Sequence, residues 1–336
     1  MKLYLLVTSL VMLASATRLH AQHFYGAPDA STAVPAGKDY MFVANDENET
    51  IHLYKRDGGA PLMAFDFSRE LRAKKQMDKE VDIEASTRLG NRIYWLASHS
   101  NKKADGRFQP NRHRLFATDV LSETNLSYVG RYDFLRNDLI DWDKRNSRLG
   151  LEQAAAIGVS PEVAGGKGFN IEGLTVAPDG KTALLGFRAP LIVTNGCAHA
   201  LLVPVLNLPE LINSRPAHAQ FGSPILLDLG GRGIRSIETF TNLVLIIAGP
   251  AANQGDFRLF VWDGDSSHPP VRCDAVLDRA GSERKFRPEA IVGFVDSAQP
   301  GNPEVQLLSD DGKNDLGFAG FRSFNVPVCP MAKKRN

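Results

Sequence analysis

Four glutamates recur in one local setting: Asp82-Ile83-Glu84-Ala85, Asn170-Ile171-Glu172-Gly173, Ser236-Ile237-Glu238-Thr239 and Arg287-Pro288-Glu289-Ala290. Each stands among small or apolar residues at the start of a strand-length run. Carboxylates brought face to face raise one another's pKa and need compensation. A hard cation such as Ca2+, which takes about 6–8 oxygen ligands, is one remedy. On that reading Glu84, Glu172, Glu238 and Glu289 are the metal ligands, joined by Glu47 from Asp46-Glu47. Arginine is the other remedy, because Arg188, Arg235, Arg287 and Arg322 stand beside the same kind of segment. In its plainest form this is an ion-pair lattice that locks the structure and binds nothing.

His99 lies between Ser98 and Ser100 at the end of an apolar run. With an acid to orient it, it can serve as a general base for Ser98 or Ser100 as nucleophile, with Arg188 and Arg235 as acid/base or anion-stabilising partners. The plain alternative is a hydrogen-bonded histidine at a strand end. No G-x-S-x-G elbow and no H-E-x-x-H occurs, so neither an α/β-hydrolase nor a zinc protease has its motif. The segment Asn101–Arg114 holds Lys102, Lys103, Arg107, Arg112 and Arg114 against Asp105. It reads as an electropositive lip for an anionic substrate or as a solvated hairpin tip. Gly230-Gly231-Arg232-Gly233 reads as a backbone anion cradle or as a tight turn needing φ > 0. No helix follows it, so it is neither a P-loop nor a dinucleotide fingerprint.

The elements that would carry these residues are short apolar runs: Tyr40–Ala44, Ile51–Tyr54, Arg92–Ala97, Leu115–Thr118, Thr182–Phe187, Ala200–Val205, Leu243–Ala248, Arg258–Trp262 and Val305–Leu308. They are rich in β-branched and aromatic residues and separated by turns such as Asp57-Gly58-Gly59 and Pro178-Asp179-Gly180. Ser68–Lys79 and Tyr132–Ile157 break the rhythm, the latter with Leu135, Leu139 and Trp142 at helical spacing, and read as helical inserts. The glutamates lie 88, 66 and 51 residues apart, uneven because inserts intervene. After each comes a turn and an apolar strand ending in Ser98-His99-Ser100, Phe187-Arg188-Ala189-Pro190, Ala248-Gly249-Pro250 or Ser309-Asp310-Asp311. Val43–Tyr54 fits as an earlier member. Repetition at this scale predicts an all-β fold, a β-propeller with short helical insertions. At ~40–50 residues per blade, the length predicts six or seven blades. A pair of β-sandwiches would not explain the recurring glutamate.

The 336 residues carry 39 basic and 38 acidic side chains, so no global field steers the chain to nucleic acid. Lys2 followed by the uncharged run Leu3–Ala16 reads as a signal peptide over residues 1–21, with cleavage after Ala16 or Ala21. No other stretch approaches a membrane span. The mature chain, 22–336, is then one exported propeller domain, periplasmic or extracellular. Three cysteines, Cys197, Cys273 and Cys329, leave at least one unpaired. Either a bridge joins Cys273 and Cys329 near the C-terminus, or all three are buried thiols.

These residues resemble a bacterial family catalogued as domain of unknown function 3616. The marks are Asp46-Glu47, Asp82-Ile83-Glu84, Tyr94-Trp95, Ser98-His99-Ser100, Asn170-Ile171-Glu172-Gly173-Leu174, Leu227–Glu238, Ala248-Gly249-Pro250, Trp262-Asp263-Gly264, Pro288-Glu289-Ala290 and Leu308–Gly312. The family brings no catalytic residues. A more distant similarity to exported esterase-like phytase propellers implies a Glu-Gly-hydrophobic run near the channel. Glu172-Gly173-Leu174 matches that form, whereas Glu84, Glu238 and Glu289 lack the glycine. The expected function is a metal-dependent hydrolase of phosphoesters or related esters, acting on a small anionic substrate. The alternative is a non-catalytic propeller that binds a protein or glycan on one face.

Overall fold

The computed structural model describes residues 21–72, 80–213, 217–240, 242–252, 255–273, 277, 286–293, 304–312 and 319–329. Residues 1–20, on which the leader expectation falls, lie outside them. The chain enters at β1 (Gln22–Tyr25), which belongs to the last sheet. Blade 1 is β2 (Thr32–Ala36), β3 (Tyr40–Ala44), β4 (Thr50–Lys55) and β5 (Met63–Asp66). Blade 2 is β6 (Ile83–Leu89), β7 (Arg92–Ala97), β8 (Leu115–Ser122) and β9 (Asn125–Tyr132). Blade 3 is β10 (Asn170–Val176), β11 (Ala183–Ala189), β12 (Ile192–Thr194) and β13 (Cys197–Val205), with β14 (Ile225–Leu227) on the flank of β13. Blade 4 is β15 (Gly233–Phe240), β16 (Leu243–Gly249), β17 (Arg258–Trp262) and β18 (Val271–Arg272). Blade 5 is β19 (Pro288–Gly293), β20 (Glu304–Ser309) and β21 (Gly320–Pro327), completed by β1 pairing antiparallel to β21.

The propeller therefore has five blades, not six or seven. The inserts account for the difference: between β9 and β10 the chain spends its length on α2 (Leu135–Trp142) and α3 (Leu151–Ala154). Leu135, Leu139 and Trp142 join the hydrophobic cluster between blades 2 and 3, as their spacing predicts, with Trp142 5.5 Å from the Phe221 ring. Of the other expected helical stretch, α1 (Ser68–Leu71) forms, while residues 73–79 lie outside the described residues.

The innermost strands β2, β6, β10, β15 and β19 pack in cyclic order around a channel. Each blade buries both of its faces. In β16, Val244, Ile246 and Ala248 meet blade 3, while Leu245 and Ile247 meet blade 5. Middle strands are thus apolar throughout rather than alternating, and they stand out in the sequence. The five hydrophobic clusters sit at the five blade junctions, between blades 1 and 2, 2 and 3, 3 and 4, 4 and 5, and 5 and 1.

Cys273 after β18 is bridged to Cys329 after β21, and Cys197 is free and exposed. The bridge ties blade 4 to the strand that closes the ring. Replacing both bridged cysteines with serine should cost about 2–4 kcal/mol, because the link restricts the unfolded chain. A melting curve indifferent to reductant would show that the bridge carries no stability.

Candidate functional site

Four innermost strands share one irregularity. Their pairing shifts by a residue between Ile83 and Ala85, between Ile171 and Gly173, between Ile234 and Ser236, and between Pro288 and Ala290. Such a bulge re-aims the extra side chain. The bulged residues are Glu84, Glu172, Arg235 and Glu289, all at the same mouth of the channel. The repeat thus aligns Gly233-Ile234-Arg235-Ser236, not Ser236-Ile237-Glu238-Thr239, with the other three.

Glu238 is accordingly not a member of this ring. It sits opposite Leu245, at the other mouth, in a cavity of about 280 Å³ with Thr87, Thr175 and Thr239. It is half-buried, and the burial it has pushes its carboxyl up to about 8. The unfolded chain ionises near the ordinary carboxylate value, so folding retains a proton that unfolding releases. Stability should fall as pH rises from about 4.5 to about 8. Glu238→Gln should therefore match the wild type near pH 4–5 and exceed it at pH 8–9 by a few kcal/mol, at most about 1.4 kcal/mol per pH unit crossed. Equal melting temperatures at pH 9 would contradict the buried, neutral carboxyl.

At the first mouth, Asp46, Glu84, Glu162, Glu172, Glu289 and Asp310 line a cavity of about 420 Å³ together with Lys103, Arg188, Arg235 and Arg287. Pro250 and Phe257 supply its apolar wall, and Arg235 lies 5.8 Å over the Phe257 ring. The charges fall into two groups. In the first, Glu172 is 2% exposed and takes Arg188 Nη1 at 2.9 Å, Arg235 Nε at 3.0 Å and Asn170 Nδ2 at 2.8 Å. Arg235 also pairs with Glu289, and Glu162 holds Lys103 at 2.7 Å and Arg188 at 3.3 Å. For Arg188 and Arg235 this is the ion-pair lattice expected as the alternative to metal, and it joins blades 3, 4 and 5; Arg322 pairs with Asp311 instead, at 2.6 Å.

The second group is acidic. Carboxylate oxygens of Asp46, Asp82 and Glu84 all lie within 4.8 Å of one another. Among the described residues, Arg112 pairs with Asp82 at 3.0 Å and also with Glu80, and Ser98 donates to Asp82. No ion pair reaches Asp46 or Glu84 among the described residues. Burial, then neighbouring carboxylates, holds Asp46 and Glu84 well above the usual range. Burial lifts Asp82 to about 6 against the pull of Arg112. Asp29, on the segment before β2, touches Asp46, and burial lifts it to about 7.

His99 is elsewhere. It is fully buried, with φ 57°, and its Nδ1 donates to the Ala97 carbonyl at 2.7 Å. Its ring stacks on His113 with centroids 6.0 Å apart, and burial lowers its pKa to about 4. Ser98 and Ser100 turn to Asp82 instead of the imidazole. The Ser-His-Ser run therefore forms no nucleophile–base pair, because the left-handed turn at His99 sends the ring away from the mouth. Of the basic loop, Arg112 and Arg114 are buried and Lys103 reaches the cavity. Gly230 and Gly231 have φ +66° and +74°, and Arg232 pairs with Asp256, so the turn reading holds there. Asp310 and Asp46 end the second strands of their blades, a position legible from the unusual polar endings. Nothing in the sequence marks Asp29.

The fold and site define a five-bladed β-propeller with a charged channel mouth divided into a cation-paired half and an acidic half. The chain belongs to the family described as protein of unknown function (DUF3616), whose sequence model matches residues 29–157 and 161–276. No curated protein matches the sequence. Among solved structures, the major Malassezia sympodialis allergen Mala s 1 is similar with a TM-score of 0.50 at 9% identity, over 91% of this chain and 95% of that one. Myxococcus xanthus glutaminyl cyclase matches with a TM-score of 0.44 at 10% identity, over 93% and 96%. The Cps50 β-propeller domain of Myceliophteria thermophila matches with a TM-score of 0.34 at 9% identity, over 90% and 98%. At such identities the likeness concerns the fold.

Proposed function

We propose that the protein is an exported propeller that hydrolyses phosphoesters or related anionic esters at the channel mouth, with a divalent cation bound on the acidic side. The observation that carries this reading is the single cavity in which Asp46, Glu84 and Asp310 face Lys103, Arg188, Arg235 and Arg287. Arg287, exposed at the rim, and Lys103 receive the anion, and Arg188 and Arg235 add fixed positive charge behind them. A divalent cation held by Asp46, Asp82 and Glu84 would supply Lewis acidity at this mouth. Water oxygen bonds to phosphorus as the bond to the alcohol oxygen breaks. Asp310 accepts the water proton and returns it to the departing alkoxide. His99, which does not line the cavity, has no part in this reaction.

Export rests on the charged start, uncharged run and small-residue sites of residues 1–21. The Cys273–Cys329 bridge agrees with an oxidising compartment. N-terminal sequencing of protein recovered outside the cytosol should begin at Thr17 or Gln22, and retention of Met1 would reject export.

The activity test is release of p-nitrophenol from its phosphate mono- and diesters with Ca2+, Mg2+ or Mn2+ present. Arg287→Ala should raise KM about ten-fold, the loss of one charge-assisted contact. Absence of turnover with every cation would reject the hydrolase. A binding module is the second reading, favoured by the lattice, in which Glu172 and Glu289 are already engaged by arginine.

A further inference from the structure

At the charged mouth the blade junctions are not tied in the same way. Arg235 of blade 4 reaches Glu172 of blade 3 and Glu289 of blade 5, so one guanidinium joins three blades. Around the other half of the ring the facing side chains are acids. Blade 5 presents Asp310, blade 1 presents Asp29 and Asp46, and blade 2 presents Asp82 and Glu84. Among the described residues the ion pair made to this set is that of Arg112 to Asp82, and Arg112 is shared with Glu80.

Three features point to a ligand there. Oxygens of Asp46, Asp82 and Glu84 within 4.8 Å of one another are close enough to converge on one ion with small side-chain adjustments, Ca2+–oxygen bonds being about 2.3–2.6 Å. Asp29 is 5% exposed, its Oδ1 has no hydrogen-bond partner, and its carboxyl abuts that of Asp46. Asp46 supplies the hydrogen bonds that Asp29 accepts, and the remaining buried oxygen, Oδ1, is an acceptor left open to a cation. Finally, the donor set is all oxygen, without cysteine or histidine, which suits a hard cation rather than zinc or copper.

We infer that Asp46, Asp82 and Glu84 bind one hard divalent cation, Ca2+, backed by Asp29, and that this ion ties blade 1 to blade 2 as Arg235 ties blades 3, 4 and 5. The inference departs from the ligand set expected from sequence. Glu84 is retained, Glu172 and Glu289 belong to the arginine lattice, and Glu238 lies at the far mouth. It shares its cavity with the proposed hydrolase and names the ligands of the cation that reading invokes, but a structural ion needs no turnover.

The test uses the full chain, freed of metal with chelator and returned to chelator-free buffer. Tb3+ luminescence, displaced by Ca2+, should report one site per chain, and saturating Ca2+ should raise the melting temperature by several degrees, since it binds the native state alone. Asp46→Asn and Glu84→Gln should each weaken Ca2+ at least about ten-fold. Each should also raise the melting temperature of the metal-free protein, because each removes one of several like charges. Glu238→Gln, at the other mouth, should keep wild-type Ca2+ affinity. Should Asp46→Asn fail to fold, Glu84→Gln carries the same comparison.

Absence of a Tb3+ signal would overturn the inference, as would Ca2+ affinity unchanged in both variants. Ca2+ binding without ester turnover sustains the ion and rejects the hydrolase. Turnover by a protein that binds no Ca2+ at this corner does the reverse.

Discussion

Glu172→Gln is expected to destabilise the fold by about 3–5 kcal/mol, the range for removing one partner of a buried ion pair. Glu172 is 2% exposed and is the carboxylate on which Arg188, at 2.9 Å, and Arg235, at 3.0 Å, converge. Glutamine keeps the size but brings an amide that accepts at one atom and donates at the other. One guanidinium then faces a donor, and two buried cations share Glu162 and Glu289 alone. The loss should be the same with chelator present or absent, because Glu172 is satisfied by arginine rather than metal. Urea unfolding monitored by tryptophan fluorescence measures it. A change below about 1 kcal/mol would mean that the lattice is decorative, as exposed ion pairs often are.

Gly233→Ala should cost about 4 kcal/mol or more, at the exceptional end for a single substitution. A Cβ at this position would stand 2.0 Å from the carbonyl oxygen of Arg188, 2.7 Å from its carbonyl carbon and 2.8 Å from its Cα. These are backbone atoms, so no rotamer change relieves the overlap. The strand carrying Arg188 would have to part from the strand carrying Arg235, and the two guanidinium groups would lose their common carboxylate. Gly231→Ala is the control: its Cβ meets nothing within 4 Å, and its φ of +74° alone costs about 1–2 kcal/mol. Denaturant midpoints of the two variants decide the matter. Equal losses would show that conformational strain, not the strand approach, governs this segment.

Both variants touch elements that the sequence announces unequally. The middle strands were legible: Tyr40–Ala44, Arg92–Ala97 and Arg258–Trp262 coincide with β3, β7 and β17. They were legible because a blade is covered on both faces, so its inner strands cannot alternate and must read as apolar runs between turns. The helical spacing of Leu135, Leu139 and Trp142 was legible for the same reason, one buried stripe against one core. Blade count was not. It depends on whether a stretch between strands is an insert or another sheet, and local pattern says little about that when inserts carry their own buried residues.

Within the site, residue types and their company were sequence properties: acids at the starts of strands, arginines nearby and polar ends on second strands. Which of them meet was decided by the fold. Glu238 and Arg235 are three residues apart on one strand, and the motif alone favoured Glu238. The bulge between Ile234 and Ser236 puts Arg235 in register with Glu84, Glu172 and Glu289. His99 likewise kept its place in the sequence but lost the mouth to a left-handed backbone turn. Asp29, unremarkable in the sequence, became a buried neighbour of Asp46 through the register of the β2–β3 hairpin, which sets Thr32 opposite Ala44. Apolar burial repeats along the chain and leaves a pattern in it. The convergence of charges depends on single-residue shifts of register and on contacts between distant strands, and these exist only once the ring has closed.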